Sequence, residues 1–126
     1  MAKKTYTDRY LQQLWRQALL ILHDNNCAYC GETYDLECHH IIKRRNKLFR
    51  HDYRNGIVLC KVCHEWAETL EGKKWIVENH IYYNELRIEE MKYKTLKDYR
   101  YEMQLSENKF LTLQAEFLKR IINENH

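Results

Sequence analysis

Two Cys-x-x-Cys pairs, Cys27-Ala-Tyr-Cys30 and Cys60-Lys-Val-Cys63, constrain the fold of this chain more than any other feature. Two residues between cysteines let the chain turn back and bring both sulfurs onto one metal ion. Gly31 follows the first pair, where a tight turn favours a residue without a side chain. Four thiolates at about 2.3 Å suit a tetrahedral zinc with no open coordination position, which makes that zinc structural rather than catalytic. The pairs are 29 residues apart, longer than the gap of a compact zinc ribbon, so the ion would pin down the base of an inserted segment.

This reading depends on the compartment, because in an oxidising one the same cysteines would suggest disulfides. No apolar run reaches the ~20 residues that span a bilayer. The N-terminus, MAKKTYTDRY, is basic but lacks the apolar segment of a signal peptide. The expectation is a cytoplasmic, intracellular protein with no membrane partner. Cys38 is then left over, and it is read as a small hydrophobe.

The 126 residues suit one domain, in which a folded chain buries roughly two-thirds of its surface. There is no proline, no low-complexity linker and no internal repeat. Three zones follow within residues 1–126. Residues 1–24 read as an N-terminal helix, with Thr7 as N-cap, Asp8 in the first turn, an apolar face of Leu11, Leu14, Trp15, Ala18 and Leu22, and His23 in the last turn. Residues 25–79 read as strand, loop, strand, helix: TYDLECHHII and NGIVLC suit strands, and the helix opening at KVCHEWAETLEG is expected to end near Gly72 in a left-handed cap. Residues 80–126 read as a helical extension, with a capping-box start at Thr95 and a last helix capped by Ser106. That last helix carries Phe110, Leu113, Phe117 and Ile121 on one face. The tyrosines here are read as packing residues. His80 and His126 match no constellation. The fold class is α+β, a small strand layer stapled by zinc and flanked by helices.

The net charge of +3 hides a local concentration. Between Ile41 and Arg54 there are six basic residues (Lys43, Arg44, Arg45, Lys47, Arg50 and Arg54) against one acid, Asp52, a local charge of +5. A basic loop beside a cysteine–histidine cluster points to a phosphate-bearing partner, with a merely solvated loop as the alternative.

Once the zinc cysteines are set aside, a second constellation remains. His39 and His40 end the first strand, Asn55 opens the second, and His64 follows Cys63 at the start of the helix. The text CAYCG, LECHHII, RNGIVLC and KVCH resembles the HNH nucleases of the ββα-metal (His-Me finger) fold, in the variety with a four-cysteine zinc. The resemblance covers roughly residues 25–72. It implies His40 as general base, His39 and His64 as ligands of a catalytic divalent ion, magnesium or manganese, and Asn55 as the residue that steadies the loop orienting the base. It further implies hydrolysis of DNA phosphodiester bonds to 5′-phosphate and 3′-hydroxyl ends, by nicking or double-strand cutting.

The residues suit these roles. Adjacent strand residues point to opposite sides, so the two histidines cannot both aim at one point, which suits the implied division of one on metal and one on water. A neutral imidazole, with a reference pKa of about 6.5, takes a proton readily near neutral pH. The basic loop would hold backbone phosphates without sequence choice. His51 in that loop is read as a phosphate or solvent contact. Glu68, four residues after His64, is either a further metal ligand or a surface acid. Lys43 stands where many members carry a proline. Two other readings remain open: a non-catalytic zinc-stabilised nucleic-acid-binding module, which needs no His40, and an adaptor that binds protein through its helical tail. A homodimer through the helical zones would supply a second site for double-strand cutting. The small size and the motif suit a phage or mobile-element protein.

Overall fold

The computed structural model describes residues 6–124; His126 and the basic residues 1–5 lie outside the described residues. The chain runs through α1 (Asp8–Leu22), β1 (Leu36–His40), β2 (Gly56–Cys60), α2 (Lys61–Ala67), α3 (Leu70–Asn79), α4 (Tyr83–Lys92), α5 (Leu96–Met103) and α6 (Glu107–Glu124). β1 and β2 pair antiparallel, with Leu36 opposite Cys60 and His40 opposite Gly56. This is the α+β architecture expected, a two-stranded sheet with α2 leaving directly from the end of β2. No helix of the described residues is long and apolar enough to cross a membrane.

The strand period of two sets the layers. Val58 packs with Leu11, Trp15, Leu19 and, on α6, Ala115 and Leu118. Its neighbours Ile57 and Leu59 face the other way, into the cysteine cluster with Ala67 and Ile76. A third cluster joins Ile42, Leu48 and Phe49 of the loop to Leu86, Tyr93 and Phe110. The β1–β2 loop therefore carries its own apolar anchor as well as its charge.

The capping signals act as read. Thr7 accepts from the Tyr10 N–H at 3.1 Å, Thr95 from Asp98 and Ser106 from Lys109, each satisfying an amide with no partner inside the helix. Tyr93, Tyr99 and Phe110 pack edge to face within the helical region. Cys38 packs beside the α1 cluster as expected of a small hydrophobe.

Three local expectations need correction. Leu22 is 45% exposed, and Leu19 takes its place in the core, because α1 stops there: Asp24 and Asn25 turn left-handed and the Asn25 N–H bonds back to the Leu20 carbonyl. On α6, Leu113 and Phe117 are exposed, while the small Ala115 and Leu118 face α1 and permit close helix approach. Gly72 does not end a helix. The first helix stops at Ala67, Thr69 caps a new one by accepting from the Gly72 N–H, and Gly72 lies in its first turn. A Cβ there would meet the Trp66 carbonyl oxygen at 2.2 Å, so Gly72 serves the sharp junction of α2 and α3.

Gly56 answers a similar demand. A Cβ on it would lie 2.3 Å from Leu19 Cδ1 and 2.7 Å from Trp15 Cζ2, so glycine lets α1 lie directly on the sheet. Gly56→Ala is expected to cost about 1–3 kcal/mol through overpacking, read as a lower urea midpoint. A wild-type midpoint would show that α1 does not press on this strand.

Candidate metal centres and active-site cleft

The sulfurs of Cys27, Cys30, Cys60 and Cys63 all lie within 4.8 Å of one another. Two elements deliver them. The first pair sits in a knuckle closed by the Gly31 N–H on the Cys27 carbonyl, with Gly31 at φ +82°. The second pair spans the junction of β2 and α2, where Cys60 ends the strand and Cys63 lies in the first helical turn. Cys30 and Cys60 Sγ are 3.7 Å apart. Four sulfurs at 2.3 Å around a tetrahedral centre would be about 3.8 Å apart, so the donor set fits zinc.

The electrostatics agree. At Cys27 burial raises the thiol pKa, but the N–H groups of Cys30, Cys60 and Tyr29 outweigh it and bring it down to about 6. Burial and the neighbouring cysteines push Cys63 up. Four crowded sulfurs cannot all ionise unless a cation neutralises them.

A second cluster lies on the same face of the sheet. Donor atoms of His39, His64 and Glu68 also fall within 4.8 Å of one another, with His39 Nδ1 3.7 Å from Glu68 Oε1. His39 comes from β1, and His64 and Glu68 are separated by one turn at the end of α2. Two imidazoles and a carboxylate form a donor set suited to a divalent ion with positions left for water and substrate. Burial, and then His64, lower the pKa of His39, which favours the neutral, ligating form.

Sequence reading did not find Glu37. Its carboxylate Oε1 lies 2.5 Å from His64 Nδ1. The signal was present, since Glu37 and His39 are two apart on one strand and share a face. A carboxylate on one ring nitrogen fixes the tautomer and turns the other nitrogen toward a metal. Glu37→Ala is expected to weaken Mn²⁺ binding at this second site by about 10–100-fold, measured calorimetrically on zinc-loaded protein. Unchanged affinity would mean that His64 needs no such support.

His40 points to the opposite side of β1. Its ring stacks on Trp15, with centroids 4.1 Å apart and planes at 10°. Trp15 is itself held by its Nε1–H, which donates to the Asp52 carbonyl at 2.9 Å. His40 Nε2 lies 3.0 Å from the Arg50 carbonyl oxygen. A carbonyl only accepts, so the neutral ring carries its proton on Nε2 and leaves Nδ1 as the acceptor. Burial lowers the His40 pKa, the Arg50 carbonyl opposes this, and the charges of Arg44 and Arg50 add to the lowering.

Asn55 is fully buried, and its side-chain amide bonds to main-chain groups of the loop. Its Oδ1 accepts from the Ile42 N–H at 2.6 Å, and its Nδ2 donates to the carbonyls of Ile42 and Phe49. It therefore ties the start of the β1–β2 loop to the residue before Arg50, whose carbonyl holds His40.

The basic residues divide. Lys43 and Arg44 line a cleft of about 510 Å³ together with His39, His40, His64 and Glu68. Lys43, Arg44, Arg45 and Lys47 are exposed. Arg44 and Arg50 both reach Asp8 at the start of α1, which anchors the loop to that helix. Arg54 corrects the sequence reading: its guanidinium pairs with Asp52, Glu85 and Glu89, and it lines a separate cavity rather than the cleft. His51 corrects it too. It is 3% exposed and 3.2 Å from Asp8, and burial brings its pKa down to about 4, so it meets neither solvent nor phosphate. His80, given no role by the sequence, bonds the Arg54 carbonyl at 2.7 Å and braces the entry to β2.

Among known proteins, the HNH endonuclease family matches residues 27–68. The match spans both cysteine pairs, the histidine doublet, Asn55, His64 and Glu68, and it bears out the resemblance carried by CAYCG, LECHHII, RNGIVLC and KVCH. At the level of the family it supports a nuclease. No curated protein and no solved structure matches the chain.

Proposed function

We propose that the protein is a DNA endonuclease that hydrolyses phosphodiester bonds with His40 as general base. In this reading His39 and His64 hold a divalent ion, magnesium or manganese, with Glu68 as third ligand. The observation that carries the proposal is the setting of His40, a half-buried imidazole stacked on Trp15 with its Nε2–H committed to the Arg50 carbonyl. That leaves Nδ1 free to accept, on a residue that lines a cleft shared with a three-donor metal cluster. A binding module without catalysis does not require this arrangement.

The chain's own groups divide the work. His40 Nδ1 takes the proton of the attacking water, and its lowered pKa keeps it unprotonated at neutral pH. Asn55 holds the loop, and through it the Arg50 carbonyl, so that the free nitrogen keeps its direction. Lys43, Arg44, Arg45 and Lys47 grip backbone phosphates without reading bases. When bound, the divalent ion stabilises charge on the scissile phosphate and on the departing oxygen. The P–O3′ bond breaks as the P–O bond to water forms, the departing 3′-oxygen takes a proton from solvent, and the products are 5′-phosphate and 3′-hydroxyl ends.

One chain carries every group in this scheme, so a chain acting alone cuts one strand. Supercoiled plasmid incubated with the protein and Mg²⁺ or Mn²⁺ is expected to pass to the open circle before any linear form appears. A plasmid untouched across both ions would overturn the proposal.

A further inference from the structure

The cleft has a second basic wall, built from helices that follow the matched segment. Lys73 of α3 and Arg87 of α4 line the same cavity as His39, His40, His64, Lys43 and Arg44. Sequence reading did not find this, because neither residue lies in the charged β1–β2 loop. Lys73 is exposed and makes no ion pair among the described residues. Arg87 is held in place rather than loose. Its Nε–H donates to the Tyr83 hydroxyl at 3.0 Å, its Nη1 pairs with Glu90 at 2.6 Å, and its guanidinium lies over the Tyr83 ring. These contacts engage the Nε–H and Nη1, and Nη2 is in neither of them. The cleft thus has cations from the β1–β2 loop and cations from α3 and α4, with the histidines in the same cavity.

We propose that Lys73 and Arg87 bind backbone phosphates of the nucleic acid, as a second wall that adds to the loop cations lining the same cavity. This rests on the reading of the protein as a DNA-binding nuclease and extends it to the helical region. A wall of this kind contributes affinity and register without base choice, because a lysine and an arginine at a phosphate carry no sequence information. It also gives α3 and α4 a task that the matched segment alone leaves to the loop.

The test is the salt dependence of binding, measured by fluorescence anisotropy on a labelled DNA duplex. A His40→Ala background keeps the DNA intact. Each lost phosphate contact is expected to make the log–log slope shallower by about 0.9. Lys73→Gln and Arg87→Gln should each do so, whereas Lys109→Gln, an exposed control on α6, should not. Arg87→Lys should keep the slope, since the charge survives. Because Arg87 also packs on Tyr83, Lys73→Gln alone decides if Arg87→Gln fails to fold. A steep parental slope that Lys73→Gln leaves unchanged overturns the second wall and leaves the nuclease reading standing. A parent that shows no salt-dependent binding overturns both.

Discussion

Stripping zinc from the protein is expected to unfold residues 27–68 and to abolish the cleft with them. The four cysteines join the knuckle at Cys27 to the junction of β2 and α2. His64 follows Cys63 directly, so its imidazole cannot stay in place once the junction opens. A structural zinc is worth on the order of 10 kcal/mol to folding, against a total stability of about 5–15 kcal/mol for an ordinary domain. Four buried thiols without a cation also resist ionising together: burial first, and then the neighbouring cysteines, raise the pKa of Cys63. The check is a thermal melt of zinc-loaded protein beside chelated protein and Cys60→Ser, with zinc counted in each. The zinc-loaded form should melt cooperatively at one zinc per chain. The other two should lose that transition, and added zinc should restore it in the chelated protein alone. A chelated protein that melts like the loaded one would show that the sheet stands without metal.

The second large effect is on rate. Replacing a general base in place costs about 10²–10⁴-fold, and His40→Ala should fall in that range. The variant is informative because its side chain faces α1 and lies outside both groups of metal donors. Besides the base it loses the stack on Trp15, worth about 0.5–1.5 kcal/mol, and the hydrogen bond to the Arg50 carbonyl, worth about as much again, a loss that the fold is expected to survive. His39→Ala should also lose activity, but through the ion, so Mn²⁺ affinity separates the two: weakened in His39→Ala and retained in His40→Ala.

Much of this was legible in the sequence because it depended on short-range rules. Cysteine spacing fixed the knuckles, the hydroxyls of Thr7, Thr95 and Ser106 marked helix starts, and the period of two placed His39 and His40 on opposite faces. What was hidden depended on which elements meet. Arg54 counts as one more positive charge until α4 brings Glu85 and Glu89 to it. His51 is a loop histidine until Asp8, 43 positions earlier, closes over it. Gly72 looked like a helix stop, but the close passage of the Trp66 backbone requires a glycine there. Lys73 and Arg87 have no local pattern at all, and only the packing of α3 and α4 brings them to the cleft. Glu37 falls between these cases: its face was predictable, but its partner was not.

The central claim is that His40 acts as a base in a cleft that holds a divalent ion. The most direct test is the initial rate of conversion of supercoiled plasmid to open circle, for wild type and His40→Ala, at equal zinc content and saturating Mg²⁺ or Mn²⁺. The account predicts cutting by the wild type and a rate at least about a hundredfold lower in the variant. Equal rates in the two proteins would contradict it.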